Sequence, residues 1–88
     1  MSESDTPRFY LLFAEDADET ALHANFDAVE LRPAMYVVHT TMTRSELYHA
    51  VRDLTLPKGL LVAPLAAHPK FRGMAAGALK WLKRRSND

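Results

Sequence analysis

Residues 8–14, RFYLLFA, are apolar on both sides of an extended chain. The run is short, aromatic-rich and bounded by Pro7 and Glu15, which marks a strand. Side chains alternate along a strand, so Phe9, Leu11 and Phe13 point one way and Tyr10 and Leu12 the other. A strand with two apolar sides must be covered twice. The fold therefore needs a layer on each face of its sheet.

The rest of the chain offers those layers. Residues 18–26 can form a short helix, with Asp18 as its cap and Ala21, Leu22 and Phe26 as its apolar stripe. Residues 28–31 read as a short strand, and Arg32-Pro33-Ala34 as a turn, because proline cannot donate to a central ladder. Residues 35–40, MYVVHT, return as a second clear strand, so the pair reads as a hairpin. Thr43 opens the best-marked helix. Thr43-x-x-Glu46 is a capping box, and Met42 and Leu47 are spaced for a hydrophobic staple. Leu47, Val51 and Leu54 are expected to be buried with Ala50 beside them, and the helix to stop before Pro57. Residues 60–63, LLVA, form an unbroken apolar strand, expected to be buried on both faces, with Pro64 limiting its length or placing its end at an edge. After a loop at 66–73, a last helix is expected from Met74 to Arg85, burying Ala75, Ala78, Leu79 and Leu82. Gly77 should weaken it by about 1 kcal/mol relative to Ala.

The order β-α-β-β-α-β-α predicts an α+β fold: a ferredoxin-like βαββαβ sandwich with an additional C-terminal helix. It forms a single domain over residues 8–85, with a disordered tail at 1–7 and a frayed end at 86–88. Two helices take one face of the sheet. The final helix and a second copy of the chain are expected to cover the other, giving a homodimer through the sheet. At 88 residues the stability margin is thin, and oligomerisation is a common remedy.

Charge is sorted along the chain. Ten of the eleven acids lie in residues 1–53, and none lies between Leu54 and Asn87, where seven Lys or Arg occur. A net charge of +0 thus conceals an acidic front and a basic back, which can steer partners. The absence of Cys excludes disulfides and thiolate chemistry and fits the cytoplasm. No apolar run approaches the ~18 residues of a membrane span, so no membrane partner is expected.

Two clusters carry candidate chemistry. Glu15, Asp16, Asp18 and Glu19 follow the first strand, and hard cations such as magnesium or manganese take oxygen ligands of this kind. Glu15 and Asp16 are the weak candidates for metal ligands and catalytic carboxylates. The plainer reading is an acidic loop favouring a helix N-terminus. Lys70, Arg72, Lys80, Lys83, Arg84 and Arg85, with Phe71 and Trp81 among them, can follow a phosphate backbone. Their plainer reading is cations complementing a helix C-terminus, a packed Trp81, or a basic end that meets a partner's acidic front. His23, His39, His49 and His68 are dispersed, without metal-ligand spacing; His39 and His49 are expected to be partly buried and hydrogen-bonded. No nucleophile elbow, phosphate-binding glycine loop or dinucleotide fingerprint is present. Tyr10 and Phe13 sit where an RNA-recognition motif carries stacking aromatics, but the third strand lacks that module's glycine and paired aromatics.

The later half has a particular rhythm: MYVVHT, the capped TRSELYHAVRDL, the turn PKG, the strand LLVAPLA, and a helix carrying Trp81-Leu82-Lys83. In this ordered set the chain resembles the small SinR-like proteins, distant relatives of the ferredoxin-like nuclease-related subunit of CRISPR adaptation modules. The resemblance implies a ferredoxin-like fold and dimerisation. In the CRISPR relatives an Asp ends the first strand and can bind a divalent metal across the dimer; the matching positions here are Glu15 and Asp16. The expected function is a homodimeric binding or assembly protein without catalysis or cofactor. The alternatives are a nuclease relative using magnesium or manganese at Glu15 and Asp16, and a nucleic-acid-binding protein acting through its basic last helix.

Overall fold

A computed structural model describes residues 6–86. Residues 1–5 of the expected tail, and Asn87 and Asp88 of the expected frayed end, lie outside the described residues. The elements are β1 (Arg8–Glu15), α1 (Glu19–Asn25), β2 (Ala28–Arg32), β3 (Met35–Thr40), α2 (Arg44–Thr55), β4 (Gly59–Pro64) and α3 (Ala78–Arg85). The fold is α+β: one antiparallel sheet in the order β2-β3-β1-β4, packed by the three helices. Among the described residues no helix is long and apolar enough to cross a membrane.

Strand register decides which side chains share a layer. Tyr10 lies beside Val38 and Pro64, and Leu12 beside Tyr36 and Val62, so the even-numbered residues of β1 form one face. Leu22 of α1, Phe26 just after it, and Leu47 and Val51 of α2 close over that face to make the main core. The Tyr10 hydroxyl donates to the Met42 carbonyl at 2.8 Å, so its phenol is buried without losing a partner. Tyr10 is therefore not available as a stacking platform. The odd-numbered residues form the second face, where Leu31, Val37 and Ala78 are buried with Phe9, Phe71, Met74 and Trp81 around them.

The helix starts follow from their caps. Asp18 Oδ1 accepts from the Ala21 N–H at 3.1 Å and opens α1. Both halves of the α2 capping box form: Glu46 N–H donates to Thr43 Oγ1 at 3.1 Å, and Thr43 N–H to Glu46 Oε1 at 2.8 Å. Met42 packs against the cluster that contains Leu47. The helix ends at Leu56, whose φ of 48° is left-handed and whose N–H still reaches the Arg52 carbonyl.

Several expectations need correction. α3 begins at Ala78 rather than Met74, because Gly77 sits at φ 85° and breaks the helical path before it. Ala75 instead lies in the preceding turn and is exposed. On α2, Leu54 is 48% exposed; Thr55 is buried in its place, one helical turn beyond Val51, with its hydroxyl donating to the Val51 carbonyl. Leu79 on α3 is also 48% exposed, and the helix buries Ala78 and Leu82. β4 is not buried on both faces. It is an edge strand, and Leu61 on its second face is 50% exposed.

These assignments predict unequal costs along α2. Leu47→Ala should lose about 2–5 kcal/mol of unfolding free energy in a urea titration, whereas Leu54→Ala should stay within about 0.5 kcal/mol. Thr43→Ala should cost about 1 kcal/mol. Equal losses at Leu47 and Leu54 would contradict the packing described.

Candidate binding surfaces

A polar knot seats α3 on the second face. Arg85 donates through Nε to Asp27 Oδ2 at 2.6 Å and through Nη2 to Asp27 Oδ1 at 2.7 Å, a bidentate pair. Its guanidinium carbon lies 4.0 Å from the centre of the Trp81 ring, and Nη1 donates to the Trp81 carbonyl. Trp81 in turn meets Phe9 edge-on at 6.4 Å. Phe9 stacks on His39 at 4.6 Å, and His39 Nδ1 lies 3.8 Å from Asp27. One acid from the front half and one cation from the back half thus close part of the charge split within a single chain.

The knot perturbs both titrating groups. The Arg85 hydrogen bonds hold the Asp27 carboxyl below the usual carboxylate range. Burial holds the His39 ring below its ordinary value, outweighing the pull of the Asp27 carboxylate, and Arg85 adds to the lowering.

α3 covers only part of the second face, lying over β2 and β3 and reaching Phe9. Toward β4 the face is open. Phe13 is 40% exposed beside Leu61, and Leu11 and Ala63 continue the strip as a half-buried cross-strand pair. These residues form an apolar strip across β1 and β4.

The basic candidates separate into two groups. Arg85 is committed to Asp27 and Trp81, so its role is to hold α3. Lys80, Lys83 and Arg84 are exposed on α3, and Lys70 and Arg72 are exposed on the loop before it. Lys70 and Lys83 line a cavity of ≈ 330 Å³ between that loop and the helix, whose apolar lining includes Phe71, Leu79 and Leu82.

The acidic candidates do not converge. Glu15 lies across the start of β4, so that a Cβ built on Gly59 would stand 3.0 Å from its Oε1. Asp16 occupies a left-handed turn position at φ 56°, Asp18 caps α1, and Glu19 lies in the first turn of that helix. Among the described residues no three His, Asp or Glu side chains are grouped to hold a metal ion. His39 is half-buried as expected; His49 is exposed, with Nδ1 2.8 Å from the Ser45 carbonyl one helical turn back. Asp27 was not singled out by sequence, because its partner lies 58 residues away and no local pattern links them. No family model, curated protein or solved structure matches this chain.

The knot makes stability fall in acid. Both folded groups bind protons less readily than they do unfolded, so their contribution is present above the unfolded pKa values and lost on acidification. The first loss should begin below the ordinary histidine value of 6.5, and the second below the carboxylate value of 3.8. His39→Gln should reduce the first step in urea midpoints measured across pH and leave the second. A wild type equally stable at about pH 7.5 and about pH 5.5 would contradict this.

Proposed function

We propose that this protein is a small homodimeric binding or assembly module, without catalysis of its own, built as a ferredoxin-like βαββαβ sandwich with an extra C-terminal helix. The strand order β2-β3-β1-β4, with α1 and α2 on one face, supports the ferredoxin-like reading and agrees with the SinR-like resemblance. The observation that carries the dimer is the exposed apolar strip at Phe13 and Leu61, which runs to the sheet edge at β4, on a chain short enough to gain from burying part of it. Light scattering at micromolar concentration should give twice the monomer mass. Leu61→Lys should reduce it to one chain while the far-ultraviolet circular dichroism is unchanged. A wild-type chain that is monomeric at that concentration would sink the proposal.

A second reading is nucleic-acid binding through α3. It is favoured by the exposed Lys80, Lys83 and Arg84 and by the cavity that Lys70 and Lys83 both line. Two cations over an apolar floor suit a phosphate with a base stacked beside it. Binding to single-stranded DNA should weaken steeply with salt, and the double variant Lys83→Glu, Arg84→Glu should abolish it. Absence of binding at low salt would end this reading.

A further inference from the structure

The two edges of the sheet are built differently. β2 is protected in three ways. It carries Glu30 and Arg32, its register shifts between those residues, and its Leu31 carbonyl is taken by the Ala75 N–H at 2.9 Å. β4 has none of these three, and its protection is limited to Pro64 at its end. No ionisable residue lies between Gly59 and Pro64.

Its backbone polarity can be read from neighbouring bonds. Ala14 N–H donates to the Ala34 carbonyl on the β3 side, while Lys58 and Leu65 donate to the Glu15 and Phe9 carbonyls on the β4 side. Odd residues of β1 therefore bond toward β4, and in the Leu65–Phe9 register their partners Leu61 and Ala63 turn their amides inward. Leu60 and Val62 turn theirs outward. Pro64 is tolerated at the end of the strand because the N–H it lacks would also point outward.

We infer that β4 pairs antiparallel with β4 of a second copy about a two-fold axis beside Leu61, making a sheet continuous across both chains. This deepens the dimer reading above and rests on it. A two-fold axis normal to the sheet keeps each face on its own side, so a residue meets only one of the same parity. With the axis at Leu61, Leu60 meets the second copy's Val62, and every outward amide and carbonyl of these residues finds a partner. Moving the axis to Val62 sets Leu60 against Pro64, which has no N–H to give. Moving it to Leu60 sets Val62 against Lys58, whose N–H already belongs to Glu15. The strand is complementary to itself in one register. In that register Lys58 lies opposite a proline, so no like charges meet, and the Leu61 side chains touch beside Phe13 to extend the apolar strip across the axis.

Hydrogen exchange on the full wild-type chain tests this. The Leu60 and Val62 amides should slow about tenfold or more between a concentration at which light scattering reports monomer and one at which it reports dimer. Leu61→Cys should form an intermolecular disulfide on mild oxidation, since facing residues of a non-hydrogen-bonded pair lie about 4.5 Å apart at Cα. Ala63→Cys should not, being displaced from its copy by about 13 Å along the strands. A dimer in which both amides exchange at the monomer rate overturns the edge pairing and leaves the dimer standing. So does cross-linking at Ala63 but not Leu61. A chain that is monomeric throughout overturns both.

Discussion

Arg85 reaches back across the whole fold to hold both oxygens of Asp27, with its plane over Trp81, and this contact decides which half of the second face is covered. Hydrophobic burial alone does not position α3. The helix buries only Ala78 and Leu82 outright, and its start at Gly77 has no side-chain cap. An apolar helix face can slide; a bidentate guanidinium–carboxylate pair has one geometry. With Arg85 placed, Trp81 meets Phe9, the Leu31 and Val37 patch closes, and the strip toward β4 stays open.

That division makes the sheet asymmetric. Toward β2 the chain supplies its own cover in α3, its own edge protection in a bulge and two charges, and its own hydrogen bond from Ala75. Toward β4 it supplies only apolar side chains and a terminal proline. The acidic and basic halves meet at the protected side, through Asp27 and Arg85.

Much of this was legible in the sequence. The seven elements and their order follow from apolar periodicity, the α2 cap from Thr43 and Glu46, and the partial cover of a second apolar face by the last helix from residues 8–14. What the pattern does not resolve has a common cause: burial depends on what lies opposite, not on a residue's own hydropathy. LLVA looks like a central strand, yet β4 is an edge whose second face faces no helix, so Leu61 is left in solvent. Leu54 and Thr55 exchange roles because the helix turns the threonine under the sheet and a hydroxyl can satisfy itself on the Val51 carbonyl. The basic run at residues 80–85 reads as one cluster, but helical geometry sends Arg85 to Asp27 and leaves Lys80, Lys83 and Arg84 outside. The acids after β1 read as a cluster for the same reason, and backbone geometry gives each a separate local task.

The separation of 58 residues between Asp27 and Arg85 is also an interval of time. A ribosome adds about 5–20 residues each second, so Asp27 and the strand after it exist for several seconds before Arg85 is made. All four strands precede α3 in the chain, and the sheet can assemble with Leu31 and Val37 bare on its second face. Until α3 docks, both halves of that face are apolar and open. A chain without Trp81 and Arg85 in place leaves Leu31 and Val37 without their cover, and so offers more apolar surface to chaperones and proteases.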